Sequence, residues 1–295
     1  VQTGRITKAL SGFYYVTTDD NQTYQTRARG VFRNQDISPY VGDYVEFSLD
    51  ENEEGTIQAI LERKNQLSRP QVVNVEVGCV VTSAVEPAFN TQLLDRFLVQ
   101  LEANHIQPAI LVTKLDLIDQ DAMDRLKDYQ AYYQSLGYPF ILVDQDNLDA
   151  TKKALSQVIQ GQLAVFMGQS GVGKSTLLNA IDPSLNFKTA ETSKALGRGR
   201  HTTRHVELVA ALGGLIADTP GFSALEFADI EKESLRECFP ECWERRAACK
   251  FRGCLHYKEP KCAVKQAVAA GDILEERYAH YILFLEEIIN RKPVY

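Results

Sequence analysis

The sequence predicts an α/β domain with a small β-barrel ahead of it and a compact, cysteine-bearing module behind it. Three observations lead there. Between residues 68 and 225, short aliphatic runs alternate with amphipathic segments of helical length. Residues 1–67 are a succession of short β-rich runs broken by turn-formers. Five of the six cysteines fall between positions 238 and 262, in a chain whose composition is otherwise ordinary at 44% hydrophobic and 24% charged. Such clustering points to metal rather than to a disulfide framework. At 295 residues there is room for about two domains, or three if one is small. A net charge of −7 argues against indiscriminate polyanion binding, although it leaves room for a local basic face. The longest charge-free apolar run, 208–217, is too short to span a bilayer. With no signal peptide at its start, the chain is expected to be soluble and cytoplasmic, with no membrane partner.

The elements follow in order. In the first module the β-rich runs are 13–17, 22–26, 41–47 and 56–60, separated by Asp19-Asp20-Asn21, Ser38-Pro39 and the acidic loop 50–55. Four or five short strands and no convincing helix fit a small antiparallel barrel, of OB or SH3-like type. In the second module the buried-strand runs are 78–81, 109–112, 140–143 and 163–167. The helical segments between and after them are 91–104, 121–136, 148–160 and a shorter one from Lys174. Strand–helix alternation of this kind implies a parallel sheet covered on both faces. The stretch 208–217 has β-type residues on either side of Gly213-Gly214 and reads as a hairpin. The third module holds the cysteines and a helix-period stretch over 273–289.

Chemistry concentrates in the middle module. Gly168-Gln169-Ser170-Gly171-Val172-Gly173-Lys174-Ser175 satisfies G-x-x-x-x-G-K-[ST] and lies between a strand run and a helix run, as the phosphate-loop mechanism requires. Small residues let successive N–H groups and a helix N-terminus, here beginning near Thr176, face one set of phosphates. Lys174 reaches the β- and γ-phosphates, and the Ser175 hydroxyl ligates Mg²⁺. The chain is therefore expected to bind a nucleoside triphosphate. Thr113-Lys114-Leu115-Asp116 follows directly on the run 109–112, at the strand end where open α/β sheets bind ligands. It resembles the N/T-K-x-D element of GTPases, in which the carboxylate accepts from guanine N1–H and its exocyclic amine while the lysine stem covers the base. Adenine has no such donor pair. Asp218-Thr219-Pro220-Gly221 closes the proposed hairpin, with Asp218 toward Mg²⁺ and the Gly221 N–H toward the γ-phosphate. Between these motifs, the basic, glycine-flexed segment 197–205 carries the Thr202-Thr203 pair, with Thr203 taken as a second Mg²⁺ hydroxyl.

The motif order is unusual, because the base-reading element precedes the phosphate loop. A complete parallel sheet survives this if the domain is circularly permuted, since the ends of α/β domains often lie close together. The chain leaving Gly221 then runs straight into the third module, which would receive any γ-phosphate-dependent movement covalently. Motifs, order and flanking modules together resemble the ribosome small-subunit-dependent GTPase A family, RsgA, over nearly the whole chain. The resemblance implies an N-terminal OB-fold β-barrel (1–67), a circularly permuted P-loop GTPase domain (68–225) and a small, mostly helical zinc-binding domain (226–295). It also implies a monomer that hydrolyses GTP to GDP, acts in late 30S subunit maturation on 16S rRNA, and is strongly stimulated by the subunit. Phe222, following the Asp218 motif, cannot orient a water, so the resting rate should be low. The resemblance points instead to His201, whose imidazole could orient or deprotonate that water. The expected base-contact loop near 143 reads Val143-Asp144-Gln145-Asp146 and departs from the family pattern.

In the third module, Cys249-x₄-Cys254-x-His256-x₅-Cys262 supplies three thiolates and an imidazole, the donor set of a closed structural Zn²⁺ site. Cys238 and Cys242, in a helix-like setting, read as buried bystanders. Charge is uneven along the chain. Residues 241–262 hold six basic against three acidic residues, 188–206 five against one, and 1–67 seven against ten. Two basic stretches around the nucleotide motifs favour rRNA contact, and Arg27, Arg29 and Arg33 beside Phe32 offer a third patch on the barrel. Two other readings stay open at this point: an RNA-binding module with GTP as a structural or regulatory ligand, and a GTPase switch for a protein partner.

Overall fold

The structure, a computed structural model, describes residues 1–30, 32, 37–68, 71–185, 206–218 and 227–291. The first five strands are β1 (Gln2–Leu10), β2 (Phe13–Thr17), β3 (Thr23–Ala28), β4 (Tyr44–Leu49) and β5 (Gly55–Ile60). They run in the order β1-β2-β3-β5-β4, and β4 returns to pair with β1. This closed five-stranded Greek key is the OB type, which decides between the two barrels the pattern left open. Ser11 and Gly12, both with positive φ, make the two-residue turn between β1 and β2. Ile6, Val16, Val45, Phe47 and Ile57 fill the interior. Phe32 is also buried in this core, which corrects its place in the expected surface patch. The aromatic ring beneath Arg27 is Phe13, 4.6 Å away.

A short hairpin, β6 (Gln66–Ser68) and β7 (Gln71–Val73), leads out of the barrel. Asn74, at φ +56, bonds the Lys64 N–H through Oδ1 (2.8 Å) and the Gly42 carbonyl through Nδ2 (3.0 Å). Asn65 holds both backbone groups of Val75 in the same way. These side chains satisfy a stretch of backbone that a ladder does not reach.

The middle domain then runs β8 (Val77–Ser83), α1 (Thr91–Ala103), β9 (Gln107–Thr113), α2 (Gln120–Ser135), β10 (Phe140–Leu142), α3 (Leu148–Ile159), β11 (Leu163–Met167), α4 (Lys174–Ile181), β12 (Glu207–Ala211) and β13 (Gly214–Asp218). Asn90, Asp119 and Asn147 cap α1, α2 and α3 by accepting N–H bonds from Leu93, Ala122 and Ala150. The strand order is β10-β9-β8-β11-β13-β12, parallel except for β12, which returns antiparallel from β13 in the hairpin the sequence predicts. Successive strand residues face opposite ways. Val80, Ile110, Val112 and Val165 pack with α1 and α2, while Cys79, Val81, Leu111 and Phe166 pack with α3 and α4. Residues 160–162 join α3 to β11 against the hairpin turn, where Gly161 N–H bonds the Gly213 carbonyl at 2.8 Å. A Cβ on Gly214 would fall 2.4 Å from the Ile159 carbonyl, so only glycine permits this approach. In a conventional order this joint would be the two chain ends. The outer edge of β12 pairs with β1 at Glu207–Lys8, so one eleven-stranded sheet runs through both domains.

The last module contains α5 (Lys232–Leu235), α6 (Pro240–Arg245), α7 (Ala263–Ala270) and α8 (Glu275–Ile289), around Phe239, Tyr281, Phe284 and Leu285. Val99 of α1 belongs to the same core. Beside it lies a buried charge cluster. Arg277 of α8 bonds Asp95 of α1 and, at 2.8 Å, Glu241 of α6. His280 Nδ1 and the Tyr133 hydroxyl each lie 2.6 Å from the Asp95 carboxylate. Among the described residues, no helix is long and apolar enough to cross a membrane.

Candidate functional site

The parallel strands bring three of the sequence motifs to one edge. Thr113 ends β9, Gly168 follows β11, and Asp218 ends β13, all at the C-terminal side of the same sheet. The phosphate loop takes its shape from glycine. Gly168, Gly171 and Gly173 have φ of 148°, 88° and 89°. A Cβ on Gly168 would lie 2.1 Å from the Val81 carbonyl. Gln169, Ser170 and Gly171 are exposed, Val172 is buried in the core under the loop, and Ser175 and Thr176 follow in the first turn of α4. Lys174 Nζ donates to the carbonyls of Gly168 (2.8 Å) and Gln169 (3.3 Å), curling back over its own loop. Burial lowers its pKa below the usual lysine value. A partly desolvated ammonium at a helix N-terminus is a favourable setting for an anion.

Thr113 links this loop to the base-reading element. Its hydroxyl donates to the Val172 carbonyl at 2.6 Å and lies 3.2 Å from the Thr82 carbonyl. Lys114 follows in the left-handed region (φ 59°, ψ 38°), which turns the chain sharply off the sheet into the 3₁₀ turn Leu115–Leu117. Asp116 is exposed on that turn, so its carboxylate is available to donors from outside. Lys114 Nζ bonds the carbonyl of Glu86, in the loop after β8. No sequence pattern signals this contact, because its acceptor is a main-chain atom. In the loop after β10, Val143 N–H bonds the Val112 carbonyl, and the Asp144 carboxylate accepts from the N–H groups of Asp146 and Asn147. His201, Thr203 and Gly221 lie outside the described residues, as does Phe222. Of Asp218 only the backbone is described, pairing with Glu207.

In the last module, Cys249, Cys254, His256 and Cys262 converge, with their four ligand atoms all within 4.8 Å of one another. Cys249 Sγ is 3.9 Å from Cys262 Sγ, and His256 Nδ1 is 3.6 and 3.3 Å from those two sulfurs. Ligands held 2.3 Å from a central Zn²⁺ in a tetrahedron would be about 3.8 Å apart, so the spacing and the donor set fit that ion. Burial raises the Cys254 thiol to about 12 and lowers His256 to about 4, disfavouring the charged form of each. Glu259 arranges the loop by accepting from Leu255 N–H (2.8 Å) and Tyr257 N–H (3.0 Å). Cys238 and Cys242 lie in the apolar core and outside this cluster, as does Cys79 on β8.

Comparison with known proteins agrees with this arrangement. The family model described as RsgA GTPase matches residues 60–228, and that of the RsgA N-terminal domain matches residues 3–57. The small ribosomal subunit biogenesis GTPase RsgA 2 of Oceanobacillus iheyensis is 55% identical over 99% of both chains. The corresponding RsgA of Bacillus subtilis is 53% identical, again over 99% of each. The crystal structure of YloQ, a circularly permuted GTPase, superposes with a TM-score of 0.85 at 49% identity, covering 100% of this chain and 97% of that one. Sequence, permuted topology and the arrangement of the nucleotide motifs agree: the chain belongs to the RsgA GTPase family.

Proposed function

We propose that this GTPase acts in biogenesis of the small ribosomal subunit, in the late maturation of the 30S particle, and that the particle stimulates its hydrolysis of GTP to GDP. The ribosomal part of this reading is supported by the relatives named small ribosomal subunit biogenesis GTPases at 55% and 53% identity, and its nucleotide part by the Thr113–Val172 bond. That bond sets the Thr113–Asp116 turn and the loop 168–175 side by side on one sheet edge, which supports reading them together as one nucleotide site. Thr113, Lys114 and Asp116 hold the base. Gly168, Gln169, Ser170, Gly171, Val172, Gly173, Lys174, Ser175 and Thr176 hold the phosphates, with Gly221 as the γ-phosphate donor. Ser175, Thr203 and Asp218 are the Mg²⁺ ligands, and the ion neutralises phosphate charge when bound. His201 is the residue that orients the attacking water. Cys249, Cys254, His256 and Cys262 hold one Zn²⁺ that stabilises the last module. The three modules divide as 1–67, 68–225 and 226–295. The chain works as a cytoplasmic monomer, and its basic stretches meet 16S rRNA.

Steady-state GTP turnover with and without purified 30S particles tests this directly. A large stimulation is expected. Co-sedimentation with 30S at an unchanged rate would favour nucleotide as a structural ligand, and no association would remove the ribosomal role.

A further inference from the structure

We infer that the loop after β8, residues 84–90, is a positioning element for Lys114, and that Ser83 is the residue that sets it. This rests on reading Thr113-Lys114-Leu115-Asp116 as the guanine site. A lysine stem is long and free, and holding it flat over a base costs rotamer entropy unless its far end is already tied. Here the far end is tied, because the Lys114 ammonium donates to the Glu86 carbonyl.

The presentation of that carbonyl follows from a chain of bonds. Ser83, fully buried at the end of β8, donates through Oγ to the Pro87 carbonyl at 2.6 Å. Ala84 N–H donates to the Thr113 carbonyl at 3.0 Å, which fixes the start of the loop to the residue before Lys114. Asn90 closes the loop as the cap of α1. Pro87 stands beside the phosphate loop, its Cδ 4.0 Å from where a Cβ on Gly171 would be. The loop therefore touches both halves of the nucleotide site while its own shape is fixed from beneath by one serine hydroxyl. Ser83 touches no nucleotide itself and acts through Pro87 and Glu86.

The base is common to GTP and GDP, so loosening Lys114 should weaken both equally and leave turnover at saturation unchanged. The test is a double-mutant cycle on the full chain, reading equilibrium affinity for GDP and for a non-hydrolysable GTP analogue. Ser83→Ala is expected to weaken both by about 3- to 10-fold, the usual worth of one hydrogen bond, with kcat preserved. Lys114→Met is expected to weaken both by more, and the Ser83→Ala/Lys114→Met protein to bind no worse than Lys114→Met alone. Ser83→Cys keeps a weak donor, should fall between wild type and Ser83→Ala, and carries the cycle if the alanine protein does not fold. Additive losses in the double variant would overturn the inference while leaving the guanine site standing, as would a loss confined to kcat. Unchanged binding in Lys114→Met would also overturn the inference, because methionine keeps the stem and loses only the tie to Glu86, whereas unchanged guanine selectivity in Asp116→Asn would remove the guanine reading of this motif.

Discussion

Asp116 provides the clearest chemical test of a single residue. A carboxylate accepts two bonds from guanine, and an asparagine in its place offers one donor and one acceptor. Asp116→Asn should therefore lower GTP affinity by about 100-fold, the loss of roughly 3 kcal/mol of charged hydrogen bonding. It should at the same time improve binding of xanthosine triphosphate, whose base carries a carbonyl where guanine carries an amine. Competition between the two nucleotides measures both changes. Thr113 is tested differently. Thr113→Val keeps the shape and removes the hydroxyl donor to Val172, leaving a buried carbonyl unpaired at a cost of about 1–3 kcal/mol, read as a lower melting temperature and weaker nucleotide binding. The motifs that carry Lys174 and Asp116 are legible in the sequence because the chemistry proposed for them needs particular residues at adjacent positions. Ser83 and Glu86 are not, since the link between them and Lys114 passes through main-chain carbonyls that any residue supplies.

The same contrast holds among the elements. The helices of the middle domain are legible to within a residue or two, because capping residues and apolar period agree at Asn90, Asp119 and Asn147. Strand β1 is harder to read. Gly4, Arg5 and Ile6 are buried in succession, because the strand pairs with β2 on one side and β4 on the other, so inside–outside alternation is lost. The Cys249–Cys262 cluster that could hold a metal ion is legible because its four side chains lie within fourteen consecutive positions. Its contribution to stability is expected to be local. Removing the metal with a strong chelator should leave three thiols, two of them buried, and a buried imidazole with no cation among them. Hydrogen exchange should then quicken across 227–291 and leave β1 to β5 protected. Uniform protection after verified metal loss would deny the cluster a structural role.

At the scale of the whole molecule, the last module is fastened to the half of the GTPase domain that carries Thr113 to Asp116. Asp95, Glu241 and Arg277 are buried, and the partners Asp95 and Arg277 come from helices far apart in sequence, which is why the pattern of α1 alone gives no sign of them. Arg277→Met leaves two carboxylates buried without their cation and should cost about 3–5 kcal/mol, measured by urea denaturation. Restoring neutrality with Asp95→Asn and Glu241→Gln in the same chain should recover part of that loss. The module thus has two attachments, a covalent one through residues 219–226 and a packed one through α1 and α2. The barrel is attached at the opposite edge of the sheet. There Glu207 pairs with Lys8 on one side and Asp218 on the other, and the Lys8 ammonium meets the Glu207 carboxylate at 2.9 Å. Three strands share this row, so the barrel backbone stands two strand spacings, roughly 10 Å, from the end of β13. Strand pairing is thus continuous from the strand that ends at Asp218, through β12, to the first strand of the barrel.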